Sequence, residues 1–283
     1  MRLRYLALLV VLAVVVGVGV ATWRGQGPLG ALAHRPGCTV TLDGRRVDLS
    51  TEQAENATLI AAIGVRRGLP ARAVSIALAT AFQESKIRNL THGDRDSLGL
   101  FQQRPSQGWG TARQVRDPFH ATNAFYDALV KVRGYETMRI TEAAQKVQRS
   151  GFPEAYQDHA PDARALASVL TGYSAGGLFT CVVAPTSDRG SATRVVGLVR
   201  RAYGDVDAAR TGVRQDVRVQ VASSPAGRRL GWSVAQFVVA HGGRLHPATV
   251  TFGGRRWTTG DASDRGWART GRVDRSTVTI SLG

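Results

Sequence analysis

Apolar positions follow three rhythms along the 283-residue chain. The first is an unbroken run from Tyr5 to Ala21, with Arg2 and Arg4 before it and Trp23-Arg24 after it. Roughly 18 apolar residues is the lower limit for crossing a bilayer and long for a signal-peptide core. The basic flank predicts an N-terminus in the cytoplasm and the remainder outside it. Ala31-Leu32-Ala33 offers a cleavage site, so a membrane anchor and a secreted form both stay open. Both place the working part outside the membrane, and a single span cannot build a transport path.

The second rhythm is helical. After a Gly- and Pro-containing stalk, Cys38–Leu49 alternates around Asp43-Gly44, the pattern of a small hairpin. Ser50-Thr51-Glu52-Gln53 has the form of a capping box, opening a helix to Arg67 with Gly68 as its stop. Pro70 starts a second helix, and Ala73–Phe82 is apolar on nearly every side, which predicts a place inside the core. Asp117-Pro118 is an N-cap followed by proline at the first helical position. Residues 141–150 and 162–171 read as two further helices, and Leu90–Arg116 as one irregular loop.

The third rhythm begins beyond an amphipathic helix at Ser187–Ala202 and a linker at Gly204–Gly212. Val213–Ala222 alternates like a strand and Ala226–His241 reads as a helix. Thr249–Phe252 with Trp257, and Thr277–Leu282, supply two more strands. The sum is a small β-α-β-β module with a modest core of its own.

Charge narrows the environment. Lys and Arg together number 37 against 21 Asp and Glu, a formal charge of +16, and lysine is confined to Lys86, Lys131 and Lys146. Such a surface suits anionic surroundings. The arginines are spread along the chain without a recognition motif, which argues against specific nucleic-acid binding. Cys38 and Cys181 bracket the helical region in a compartment where disulfides persist, so they are either a bridge or two separate buried thiols. The six histidines have no metal-ligand spacing, and no cofactor motif is present.

The chemistry concentrates where the second helix changes character, at Gln83-Glu84-Ser85. A carboxylate at the end of a buried helix is costly unless paired, hydrated or used. A polar loop with Asp94 and Asp96 follows, then Gly99-Leu100-Phe101-Gln102 and Gln103. An acid facing hydrogen-bonding groups suits cleavage of a glycosidic bond, whose leaving oxygen must be protonated. Glu84-Ser85 followed by Gly99-Leu100-Phe101-Gln102 resembles the Glu-Ser … Gly-Leu-Met-Gln signature of soluble lytic transglycosylases and goose-type lysozymes. The segment Ala144–Tyr156 is similar to versions of that fold in secreted cell-wall proteins of high-G+C Gram-positive bacteria.

The resemblance implies Glu84 as catalytic acid and base, with Ser85, Gln102 and Gln103 lining the glycan cleft. Tyr156 or Tyr173 would replace the tyrosine of an absent Ala-Tyr-Asn-Ala-Gly motif. Asp94 or Asp96 would be the second carboxylate of a hydrolase. Their other reading is an exposed turn with local Asp–Arg pairing, and that of the two glutamines is capping of loop backbone. Trp109 and Phe119 are candidates for stacking on sugar faces or for the core.

The expected fold class is a mainly α lysozyme-like domain with a small N-terminal hairpin, followed by a small α+β domain, behind a single N-terminal transmembrane helix. The expected layout is an anchor or signal segment at 1–24, a stalk at 25–37, a catalytic domain at 38–182, a helix and linker at 183–212 and an accessory domain at 213–283. The expected partners are peptidoglycan glycan strands, anionic wall polymers and the membrane. The expected activity is cleavage of MurNAc–GlcNAc bonds outside the membrane, and its alternative is a non-catalytic glycan-binding or scaffolding protein of the envelope.

Overall fold

The computed structural model describes residues 36–174, 176–211 and 216–282. Strands β1 (Gly37–Leu42) and β2 (Arg45–Leu49) form the expected hairpin around Asp43-Gly44. Helix α1 (Thr51–Arg66) starts at Ser50, whose side chain and that of Gln53 close the capping box in both directions. Helix α2 (Ala71–Ser85) is buried along nearly its whole length, as its apolar sequence requires. A four-residue helix α3 (Ala112–Val115), then α4 (Pro118–Leu129), α5 (Ile140–Gln148) and α6 (Ala160–Leu170) complete the helical part. A 3-10 turn at Ala155–His159 precedes α6. Helix α2 packs against α6, α5 and that turn, so it is central to the layer.

The remaining elements are β3 (Phe179–Val182), α7 (Ala192–Tyr203), β4 (Asp207–Thr211), β5 (Asp216–Gln220), α8 (Pro225–Ala240) and α9 (Gly242–Leu245). Strands β6 (Thr249–Phe252), β7 (Arg255–Thr258), β8 (Ala268–Arg269) and β9 (Thr277–Ser281) follow. Strand β3 pairs with β1 to make a three-stranded sheet in the order β2-β1-β3. The other six strands form a second, antiparallel sheet in the order β4-β5-β9-β6-β7-β8. Helix α8 packs on one face of that sheet and on α1, so a single cluster of buried apolar side chains runs through both parts of the chain.

This corrects the expected fold class. The protein is not mainly α: helix accounts for about 47% and strand for about 18% of the described residues, with sheets of three and six strands. Two features hid the strands. Strand β4, Asp-Ala-Ala-Arg-Thr, buries only Ala208, and its backbone is held by pairing with β5, so its composition reads as linker. Strand β3 is four residues long and pairs with a partner far away in sequence. The membrane helix expected at the N-terminus lies outside the described residues. Among those described, no helix is long and apolar enough to cross a membrane.

The disulfide is present. Cys38 and Cys181 are directly opposed on β1 and β3 and are joined across 143 residues. It fixes the hairpin against the strand that leads out of the helical part.

Candidate functional site

Helix α2 ends in an unusual way. Lys86 and Ile87 both adopt left-handed backbone angles, with φ of 55° and 56°. A β-branched residue rarely tolerates this, and such a conformation costs on the order of 1–3 kcal/mol. Two side chains of α1 hold it in place: Gln53 Nε2 donates to the Lys86 carbonyl at 2.8 Å, and Asn56 Nδ2 to the Ile87 carbonyl at 2.9 Å. The strained exit turns the chain sharply after Ser85, leaving Glu84 half-buried on the last turn.

The Gly99–Gln102 turn is closed by reciprocal backbone bonds between Leu98 and Gln103, each 3.0 Å. Gly99 and Gln102 take positive φ, of 78° and 46°. At Gly99 a Cβ would stand 2.5 Å from the Val115 carbonyl oxygen, so no other residue fits there. Leu100 and Phe101 point inward, and Phe101 stacks on Phe125 with ring centres 4.6 Å apart. Their carbonyls are gripped from outside the turn. Ser85 Oγ lies 2.7 Å from the Leu100 oxygen, and Gln148 Nε2 donates to the Phe101 oxygen at 2.7 Å. Ser85 thus ties the end of the acid-bearing helix to the turn.

The tyrosine hydroxyl of Tyr156 donates to Glu84 Oε1 at 2.7 Å. Tyr156 is fully buried, and burial followed by the adjacent Glu84 charge pushes its phenol far above the usual tyrosine range. It therefore stays a donor at every pH of interest. Among the described residues the hydrogen bond to the Glu84 carboxylate is made at Oε1, and none is made at Oε2. Next to the acid, Gln83 Oε1 lies 3.0 Å from His159 Nε2, and the His159 ring stacks on Phe82. Burial, followed by the Lys86 charge, lowers the His159 pKa.

The other sequence candidates are placed differently. Tyr173 is exposed, with the Arg229 guanidinium 4.6 Å over its ring, and the tyrosine bonded to Glu84 is Tyr156 instead. Gln102 folds back over Gly93 and donates to the Gly99 carbonyl at 3.2 Å. Gln103 turns into the core and donates to the Ala121 carbonyl at 3.1 Å, anchoring α4. Asp96 accepts from Arg104 Nε at 2.8 Å, from the Ser106 amide at 2.8 Å and from its hydroxyl at 3.0 Å. Arg104 first, then Ser106, hold its carboxyl well below the usual range. Asp94 is fully out in solvent with Arg95 at 3.9 Å. Phe119 is covered by the Arg201 guanidinium at 3.8 Å, so its ring face is taken.

Two confluent clefts of about 620 and 430 Å³ run beside this region and share Gln107, Trp109, Ala128 and Lys131. The first also has Lys146, Gln148 and Arg149 in its wall, so Gln148 touches both the cleft and the Phe101 carbonyl. Glu84 itself lines neither. Among the described residues no cluster of His, Cys, Asp and Glu is arranged to hold a metal ion.

Gln53, Asn56, Gln148 and His159 were not legible as site residues. Each acts through a contact 31 to 76 positions away in sequence, and no local spacing encodes it. No protein family profile matches the chain, and no curated protein matches it at a significant level.

Proposed function

We propose that the protein cleaves the glycan strands of peptidoglycan outside the membrane, as a lytic transglycosylase with Glu84 as its single acid and base. The observation that carries this reading is the Tyr156–Glu84 hydrogen bond, which engages Oε1 of an acid whose neighbour Ser85 is tied to the Gly99–Gln102 turn. The resemblance of Glu84-Ser85 and Gly99–Gln102 to the lytic transglycosylase signature supports it, and the disulfide suits an oxidising compartment.

In this reading protonated Glu84 gives its proton to the oxygen linking MurNAc to GlcNAc, and the bond to the MurNAc anomeric carbon breaks. The carboxylate then accepts the proton of the muramoyl 6-hydroxyl as that oxygen attacks the same carbon. The products are a GlcNAc hydroxyl end and a 1,6-anhydro-MurNAc end, with Glu84 protonated again. Water takes no part. A hydrolase would need a second carboxylate to activate water. Asp96 suits that task poorly, because Arg104 and Ser106 engage both its oxygens and reduce its basicity.

The test incubates the purified protein and Glu84→Gln with peptidoglycan and analyses released fragments by mass spectrometry. Anhydro ends from the wild type alone support the proposal, and reducing ends replace it with hydrolysis. If neither protein releases product, the enzymatic reading fails. A second reading, glycan binding without turnover, is favoured by the position of Glu84 outside both clefts. It requires equal binding of glycan by wild type and Glu84→Gln with no product from either.

A further inference from the structure

The six-stranded sheet has one face under α8 and the other open. Its alternation is clean: Val217, Val219, Val250, Val278 and Ile280 are buried, and their neighbours point the other way. On the open face the strand register lines up one row, because Arg218 opposes Thr279, Thr279 opposes Thr251, and Thr251 opposes Arg256. The row has a guanidinium at each end and two hydroxyls between them. Three strand spacings of about 4.8 Å separate the ends, roughly 14 Å. A concavity of about 390 Å³ covers this row, and Arg272, from the loop leading to β9, closes it.

The arginines are not neutralised. Among the described residues none of Arg218, Arg256 and Arg272 has a carboxylate partner, and Arg256 Nε instead faces Thr251 Oγ1 at 3.4 Å. Among the described residues the acid in the concavity is Asp274, whose Oδ1 accepts from the Ser276 amide at 2.8 Å, the Ser276 hydroxyl at 3.0 Å and the Thr277 amide at 3.1 Å, and which pairs with none of the three arginines. Among the described residues no aromatic side chain lines the concavity, so it offers no stacking platform for a nucleic-acid base.

We propose that this face binds a linear polymer of phosphodiester-linked polyol units, with successive phosphates on the arginines and the polyol over the threonine floor. Charge complementarity selects an anion. A guanidinium donates in a fixed fork to the oxygens of a phosphate, and the threonine hydroxyls between the arginines can exchange hydrogen bonds with a polyol. The row crosses four neighbouring strands, roughly 14 Å from backbone to backbone, so an extended polyanion can lie along it with a charge near each end. The site is independent of Glu84 and of the activity proposed for it.

The test titrates the full-length protein with lipid-free poly(glycerol phosphate) at two salt concentrations. The triple variant Arg218→Gln, Arg256→Gln, Arg272→Gln should lose at least tenfold in affinity and show a flatter salt dependence. A control removing three exposed charges elsewhere, Arg113→Gln, Arg133→Gln, Arg189→Gln, should lose less than threefold, and Glu84→Gln should bind as the wild type does. Equal losses in the two triple variants would overturn the proposal, as would no loss in either. So would binding of polyglutamate or single-stranded DNA as tight as that of the phosphodiester polymer. Circular dichroism of each variant excludes misfolding as the cause of a loss.

Discussion

Tyr156 and Glu84, 72 positions apart, are joined by a 2.7 Å hydrogen bond from a fully buried phenol to a half-buried carboxylate. The phenol is buried, so under the proposed activity its part would be to position Glu84 by holding Oε1. Tyr156→Phe keeps the ring and deletes the bond. The expected result is a fall in kcat of about 10- to 100-fold, or roughly 1.4–2.7 kcal/mol in the barrier, with KM little changed. Stability should fall by only about 1 kcal/mol. Steady-state kinetics on soluble peptidoglycan fragments, with denaturant melts alongside, checks both. A change in KM alone would remove the positioning role.

A related expectation concerns the turn that Ser85 grips. Gly99→Ala places a methyl 2.5 Å from a backbone oxygen at a φ of 78°, so the turn must move and the Leu100 carbonyl must leave Ser85. Gly44 is the matched comparison, with a φ of 77° and open space around it. Gly44→Ala should cost about 1 kcal/mol from backbone strain alone. Gly99→Ala should cost about 2–4 kcal/mol and also abolish glycan cleavage. Urea unfolding of the two variants gives the comparison, and equal destabilisation would show that crowding at Gly99 is relieved without moving the turn.

The local features of the site were readable because they depend on short-range chemistry. The Ser50–Gln53 box and the apolar character of α2 each follow from a few adjacent residues, whereas the crowding that requires glycine at position 99 comes from the distant Val115 carbonyl. Partners were not. Tyr156 and Tyr173 are equally plausible in sequence, and only packing of the turn at Ala155–His159 on α2 brings the first of them to Glu84. The sheet was hidden for the same reason. Strand β4 has no alternation worth the name, and its place at the sheet edge comes from pairing with β5 and from α7 packed against it. Where propensity is weak and the partner distant, tertiary structure decides.

The disulfide yields a prediction independent of function. Closing a loop of 143 residues reduces the entropy of the unfolded chain by an amount worth about 5 kcal/mol in the chain-entropy model. Because β1 and β3 also pair through their backbones, the native strands have a reason to stay together when the bond is cut. The double variant Cys38→Ala, Cys181→Ala should therefore fold, with its denaturant midpoint lowered by the equivalent of about 3–5 kcal/mol. Dithiothreitol should lower the wild-type midpoint by a similar amount and leave the variant unchanged. A variant as stable as the wild type would mean that β3 pairing alone fixes the hairpin.

Stability should also depend on pH through His241, which lies inside the α8 end of the core. Its Nδ1–H donates to the Phe237 carbonyl at 2.8 Å, and burial, opposed by that bond, lowers its pKa from 6.5 to about 4. The Arg244 charge acts in the same direction as burial. Folded protein therefore holds the neutral ring down to about pH 4, whereas the unfolded chain takes up a proton below about 6.5. In that window the unfolded state binds more protons, so stability rises with pH and falls as the solution is acidified. The full loss, reached below pH 4, is on the order of 3 kcal/mol, and above pH 7 the group contributes no slope. His241→Leu cannot titrate and should show a shallower decline between pH 6.5 and 4.5 than the wild type. Urea midpoints at four pH values measure both slopes. Parallel curves would assign the acid sensitivity to other groups, such as His159, whose pKa burial also lowers.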